Sequence, residues 1–336
     1  MKKELKIFFY LFILIVLICS TFLLGKKHLK ITKLTGVKTA INETETQKPA
    51  EQKNSSQWQT KNKKPIKILF VGDLMLDRYI REIAQKKGYS YIFEKIGGQL
   101  KEADLAVANL EGPITDKASR SIGTSVGEKS HFIFTFDKSV SAILFENNIK
   151  LVNTGNNHIL NFGQGGLDQT EVNLKNSSIE YFGDANNTNK TAVKNINDYK
   201  IGFVNYNQFS PGSLARNLEN IKNIRNQSDM LIVYTHWGVE YQTRSNENIR
   251  NLGHQFIDAG ADLVIGSHPH VVEEKEEYKG RIIYYSLGNF VFDQYFSPET
   301  KKGLAVEVSI SPENKITYKD IPLILENNGQ TRSNEL

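Results

Sequence analysis

From residue 65 onward the chain repeats one pattern: a short continuous apolar run, rich in β-branched residues, that stops abruptly at polar ones. Five such runs follow in order: IKILFVGD (66–73), ADLAVANLEG (103–112), IKLVNTGNNH (149–158), DMLIVYTHWG (229–238) and ADLVIGSHPH (261–270). Runs that are continuous rather than alternating predict strands buried on both faces. Helix-like segments lie between them, such as DKSVSAILFENN (137–148) and NENIRNLGHQFIDAG (246–260), the second closed by Gly260 as a helix stop. Strand alternating with helix implies a mainly parallel sheet. TAVKNIN (191–197), KIGFVNYN (200–207), RIIYYSLGNFVF (281–292), GLAVEVSI (303–310) and KITYKDIPLIL (315–325) come without long helices between them and predict antiparallel strands. The expected class is α/β, with two packed mixed sheets flanked by helices and no internal repeat.

The pattern before residue 65 is different. Lys2, Lys3 and Lys6 precede an apolar run from Ile7 to Leu24. At about 18 residues it is near the lower end of what spans a bilayer and longer than the usual core of a cleaved signal. It has no polar face, so it predicts one uncleaved transmembrane helix over 7–25, with residues 1–6 cytoplasmic. A lipoprotein reading would use Cys19 as the acylated residue, but the bulky Ile18 stands where a small residue is expected. Lys26, Lys27 and Lys30 follow the run, so charge alone does not orient it. The lack of a second apolar span and the usual behaviour of a signal-anchor place the rest outside: a single-pass protein of the cell membrane with an extracytoplasmic domain. Residues 26–64 are polar and poor in apolar side chains, which predicts a disordered tether. The globular domain is expected over 65–326 and a flexible tail over 327–336.

Charge adds an exclusion. The 336 residues carry 42 Lys and Arg against 37 Asp and Glu, a formal +5. No basic block has interleaved aromatics, so no nucleic-acid partner is expected. Cys19 is the one cysteine and lies in the apolar run. The polar part of the chain therefore has no disulfide, no cysteine zinc site and no catalytic thiol.

The candidate chemistry sits at the strand ends, where open α/β sheets bind ligands. The five runs end in Asp73, in Asn109 with Glu111, in Asn157 and His158, in His236, and in His268 and His270. Each offers a carboxylate, amide oxygen or imidazole, the donors that hold divalent ions. One such residue is commonly satisfied in a core or a turn, but five clusters in order point to a metal. Strand alternation would aim His268 and His270 to one side, with Pro269 restricting the backbone between them and Gly266 permitting a sharp exit. Asn157 would ligate, and His158 would face a substrate. Ser286 and Asn289 of SLGNF either line a substrate pocket or form a plain turn. Arg120, Ser121 and Thr124 read as a solvated loop, and Asp77, Arg78, His131 and His254 as structural.

VGDLM, ANLEGPIT, NTGNNH, THWG and GSHPH, with YYSLGNFVFD, together resemble the CapA (PgsA) capsule-synthesis family linked to poly-γ-glutamate, over roughly residues 66–295. That family is similar to the calcineurin-like metallophosphoesterases. The resemblance implies a four-layer α/β/β/α sandwich with a metal centre at one sheet edge. It makes Asp73 the first ligand and Glu111 the residue bridging two metals, with Asn109 assisting. It makes Asn157 a ligand, His158 a general acid or a donor to a phosphoryl oxygen, and His236, His268 and His270 ligands. Met75 stands where a ligating histidine is expected, and a thioether is a poor ligand for a hard ion. One site would keep Glu111, Asn157, His236 and His268. A weaker one would keep Asp73, Glu111 and His270. One or two ions of Mn, Zn or Fe are implied. The implied partners are the membrane, an anionic polymer or phosphoester substrate, and other capsule-synthesis membrane proteins. Three roles stay open: phosphoester hydrolase, polymer-binding capsule component without turnover, and an enzyme cutting glutamyl amide bonds.

Overall fold

The computed structural model describes residues 64–185 and 190–334. The anchor expected at 7–25, Cys19, and nearly all of the expected tether lie outside the described residues. Among the described residues no helix is long and apolar enough to cross a membrane.

Fourteen strands among these residues build two mixed sheets. The first sheet holds β1 (Ile66–Leu74), β2 (Leu105–Leu110), β3 (Ile149–Asn153) and β4 (Glu180–Phe182), together with β11 (Asn289–Val291), β12 (Lys302–Ile310), β13 (Ile316–Leu325) and β14 (Thr331–Ser333). Its order is β14-β13-β12-β1-β2-β3-β4, with β11 joining the far end of β1. The second holds β5 (Ala192–Ile196), β6 (Tyr199–Asn207), β7 (Met230–His236), β8 (Leu263–Ser267), β9 (Lys275–Tyr278) and β10 (Arg281–Tyr284), in the order β5-β6-β7-β8-β10-β9. β1 to β4 run parallel, as do β6, β7 and β8.

Strand alternation explains why the sheets stack. On β1, Ile66, Ile68 and Phe70 enter one core with Phe203, Ile232, Tyr234 and Ile265 of the second sheet. Leu69 and Val71 point the other way, into a core closed by helices of the first sheet. Those helices include α1 (Arg78–Lys87), α2 (Tyr89–Phe93), α3 (Gly97–Glu102) and α4 (Ser139–Glu146). On β7, Leu231 and Val233 enter a third core with Ile221, Ile224, Ile249 and Phe256. Those four come from α6 (Ser213–Arg225) and α7 (Glu247–Ala259), which follow α5 (Gly163–Asn176) in the chain. The layers run helix, sheet, sheet, helix, and a strand buried on both faces has to be apolar at every position. α7 starts and stops as its sequence predicts: Asn246 accepts from the Ile249 N–H at 3.1 Å, and Gly260 closes it at φ +119°.

Two expectations change. RIIYYSLGNFVF does not form one antiparallel strand. It splits into β10, antiparallel to β9 but parallel to β8, and β11, parallel to β1, so this segment crosses from one sheet to the other. The residues between them make the crossing, with Gly288 at φ +66°. Of the expected tail, residues 327–334 are described and structured. β14 pairs antiparallel with β13, and Gln330 and Thr331 are buried.

Candidate metal centre

Parallel strands β1, β2, β3, β7 and β8 all end at the same edge of the sandwich, and the polar residues that follow them converge there. Asp73 and Glu111 are fully buried and His270 is 3 % exposed. One ligand atom from each of these three lies within 4.8 Å of the others. This is the set the sequence pointed to as the weaker position.

Hydrogen bonding fixes which atoms face the centre. The Asn289 amide donates to the carbonyls of His270 at 3.2 Å and Thr300 at 3.1 Å, and to Gln294 Oε1 at 3.2 Å. Its Oδ1 therefore turns to His270 Nδ1, 3.0 Å away, and that nitrogen carries the proton. His270 Nε2 is left with a lone pair, 3.6 Å from Glu111 Oε1. Both Glu111 oxygens are buried and have no hydrogen-bond partner. Acceptors that face each other in a buried site need a proton or a cation between them. Burial, then the neighbouring Asp73 charge, pushes the Glu111 carboxyl well above the usual range. Burial also acts to raise Asp73. His270, the Asn109 amide at 2.8 Å and the His268 backbone N–H at 3.1 Å outweigh it, and Asp73 ends below its ordinary value. The residues present thus fit a divalent cation: an ionised carboxylate, a second carboxylate lacking a partner, and an imidazole nitrogen held in its ligating tautomer.

The second group lies alongside. His236 Nε2 is 2.8 Å from Asn157 Oδ1, and the His236 and His268 rings are 4.8 Å apart. His268 Nδ1 is a further buried atom without a partner. Burial holds His236 well below the ordinary histidine range and brings His268 down to about 3, so both stay neutral. Asn157 is exposed. His158 is 12 % exposed, with Nε2 3.9 Å from Glu111 Oε1. Asn161 Oδ1 accepts from the Phe134 N–H at 2.7 Å and faces His158 Nδ1 at 3.2 Å. The His158 proton therefore sits on Nδ1, and Nε2 offers a lone pair. Burial lowers its pKa to about 4.

Residues 67–294 match the bacterial capsule synthesis protein PGA_cap family. The chain belongs to that family. All six candidate ligands lie within the matched stretch. The chain is 28% identical over 280 residues to the capsule biosynthesis protein CapA of Bacillus anthracis, covering 77% of this chain and 67% of that one. It is 30% identical over 243 residues to the PGA biosynthesis protein CapA of Bacillus subtilis, covering 67% of this chain and 63% of that one. The chain thus spans about two thirds of the length of these relatives. A crystal structure of a candidate 5′-nucleotidase from Staphylococcus aureus superposes with a TM-score of 0.44 at 13% identity, over 76% of this chain and 53% of that one. A likeness that partial decides nothing here.

Within this family member, several residues stand differently from their sequence reading. His268 and His270 do not converge by strand alternation. β8 ends at Ser267, and the two residues take left-handed backbone, φ +101° and +60°. That turn sends His268 toward His236 and His270 toward Asp73. Gly266 does not serve as an exit from the strand; it lies inside β8, where a Cβ would stand 1.9 Å from the Tyr285 carbonyl oxygen. Met75 turns its side chain into the helix-side core, and its sulfur accepts the Asp77 N–H at 3.1 Å. Ser286 is spent on its own turn, donating to the Val271 carbonyl at 2.7 Å and accepting from the Gly288 N–H at 3.1 Å. Asn109 and Asn289 are buried beneath the centre, and their amides hold Asp73 and His270 rather than lining a pocket.

Asn153 and Asn156 also serve the centre, though the sequence pattern does not single them out. Both donate to Asn109 Oδ1, at 3.0 and 3.2 Å, which turns the Asn109 amide hydrogens toward Asp73 and His236 Nδ1. The density of asparagine in NTGNNH was the available sign. Arg78, expected to be structural, braces the rings beside the centre. It sits at φ +49° with its guanidinium over Phe134 at 5.0 Å and Phe292 at 5.4 Å, bonded to His131 at 2.9 Å and paired with Asp293. Phe134 and Phe292 are the rings that pack on His158 and His270.

Proposed function

We propose that this protein is a membrane-anchored, extracytoplasmic component of poly-γ-glutamate capsule synthesis or export, built around a divalent metal centre of phosphoesterase type. Family membership supports the biological setting, and the names of the Bacillus relatives supply capsule and PGA biosynthesis. The apolar run at Ile7–Leu24 supports the anchor. The observation that carries the chemistry is Glu111: a carboxylate fully buried, with neither oxygen partnered, facing the bare nitrogen of His270.

Asp73, Glu111 and His270 would hold the first ion, and His236, His268 and Asn157 the second if one binds. Mn, Zn or Fe suits this mixture of oxygen and imidazole donors. Such an ion would polarise a phosphoryl oxygen and lower the pKa of bound water. The chain's own contribution is orientation and proton handling. Asn109 and Asn289 hold Asp73 and His270 against rotation. His158, neutral and with its Nδ1 proton directed to Asn161, presents Nε2 as a proton acceptor. It has to take up a proton before it can serve a leaving group.

A second reading, polymer binding without turnover, draws on Met75. With that side chain in the core, the first ion would lack a ligand that a hydrolase of this type is expected to use. One experiment separates the readings. The full chain is purified in detergent, its bound metal measured, and an aryl phosphate assayed with added Mn beside a poly-γ-glutamate binding assay. Turnover lost in His158→Ala supports the hydrolase. Metal with polymer affinity and no turnover supports the second reading. No bound metal, and no loss in His270→Ala, sinks both.

A further inference from the structure

Three large apolar rings stand exposed on three separate loops around the centre. Phe209 follows β6 and is 44% exposed, Tyr241 follows β7 and is 41% exposed, and Phe296 follows β11 and is 65% exposed. They connect with the candidate ligands ring to ring. Phe209 lies 4.5 Å from His268 and 5.9 Å from His236, and Tyr241 lies 6.1 Å from His270. Phe296 meets Tyr241 edge-on at 5.2 Å. Isolated apolar residues on a surface need no explanation, but rings grouped at the mouth of a polar site do.

Tyr241 is held in place at a cost. It adopts φ +64°, a left-handed conformation that disfavours a bulky side chain, and its N–H donates to the Pro269 carbonyl at 2.8 Å. Its hydroxyl accepts from Gln294 at 3.2 Å. Backbone strain of this kind persists where the surroundings over-determine it, and it gathers at ligand clamps. Here the clamp is the same Pro269 turn that carries His268 and His270.

Charge narrows what the rings could meet. Glu240, next to Tyr241, is exposed and near enough for its charge to act on Glu111. The guanidinium of Arg78 is already tied to Asp293 and His131. Aromatic faces carry negative quadrupole density. An extended polycarboxylate would therefore meet like charge and ring faces immediately outside the centre. A ligand with one anionic group and an uncharged ring meets neither difficulty.

Resting on the metal-centre reading above, we propose that the mouth of the centre selects a phosphoester whose alcohol part carries a ring, with the phosphoryl group at the metal and the ring against Phe209, Tyr241 and Phe296. The shared chemistry is a flat, uncharged ring face, aromatic or saturated as in a sugar.

The test uses the Mn-loaded full chain and calorimetric binding of non-hydrolysable probes: inorganic phosphate, methylphosphonate, phenylphosphonate and cyclohexylphosphonate. Phenylphosphonate is expected to bind about tenfold tighter than methylphosphonate, as one well-placed ring contact allows. Phe209→Ala and Phe296→Ala should bring the two together, and Phe296→Ala, whose ring packs on Tyr241 rather than on a histidine of the centre, should leave inorganic phosphate unchanged. The cyclohexyl arm then separates an aromatic from a saturated-ring substrate, and a preference for either ring supports the proposal. Phosphate binding with no ring preference overturns it while leaving the metal centre standing. So does ring-dependent self-association, lost in the same variants, which would make the rim a contact between copies. Failure of inorganic phosphate to bind overturns the metal centre and the proposal together. Phe296 is 65% exposed, so loss of folding does not confound that variant.

Discussion

Glu111 shows how far one residue's surroundings constrain its role. A buried carboxylate without partners destabilises the metal-free fold, because ionisation in a dry site is costly. Glu111→Gln removes the charge and keeps the shape. The metal-free variant should melt at or above the native protein at pH 7.5, while the rise in melting temperature on adding Mn disappears. A variant that melts lower and still responds to Mn would show that Glu111 is structural. Asn289 acts one step out. Its Oδ1 sets the His270 tautomer from 3.0 Å. Asn289→Ala should weaken metal binding by about 10–100-fold with every ligand intact, as loss of such an outer partner usually does. Unchanged affinity by calorimetry would remove that role. The ligand types at this scale were legible in the sequence, since carboxylate, amide and imidazole stood at successive strand ends. The partners were not, because Asn109 meets Asn153 and Asn156 only where two neighbouring strands, β2 and β3, come together.

Among the elements, the five apolar runs predicted five parallel strands because a strand covered on both faces needs an unbroken apolar stretch. RIIYYSLGNFVF misled for the same reason. Continuity of hydrophobicity records burial, but not which sheet does the burying. The Ser286–Gly288 turn hands this chain from one sheet to the other. Gly266 gives a sharp check on β8 and its neighbours. Gly266→Ala would drive a methyl against the Tyr285 carbonyl oxygen, a backbone atom that cannot swing aside. Urea unfolding should show a loss of at least about 2 kcal/mol, as overpacking of a tight site gives. Gly165, on α5, has open space where its Cβ would go. Gly165→Ala should be neutral or gain about 0.5–1 kcal/mol. Equal effects at the two glycines would contradict the strand contact.

For the whole molecule, acid response and metal response are linked. His158 at about 4, His268 at about 3 and His236 below the ordinary range all have folded pKa values under the unfolded value of 6.5. As pH falls below about 6.5, the unfolded chain takes up protons that the fold does not, so these histidines withdraw stability from pH 6.5 downward, His158 until about 4 and His268 until about 3. Glu111 has the opposite sign. Its raised folded pKa costs stability when it ionises above its unfolded value of 4.5, and acid relieves that cost. A bound cation needs Glu111 ionised and the histidines neutral. The Mn-induced rise in melting temperature should therefore be largest near pH 8 and fade toward pH 5. Melts with Mn and with chelator across this range would show it, and a shift independent of pH would argue against these ligands.

The sequence by itself determined the strand-and-helix alternation, the polar strand ends, the family and the kind of atoms at the site, since these follow from local pattern and residue type. Only the tertiary structure decided which ligands meet. The Pro269 turn takes left-handed backbone at His268 and His270, so the two histidines part company, one toward His236 and one toward Asp73 and Glu111. Period-two reasoning cannot foresee a turn that forms because sheet packing fixes both of its ends. The tertiary structure likewise brought Phe209, Tyr241 and Phe296 to one rim, from loops whose spacing in sequence carries no trace of their closeness in space.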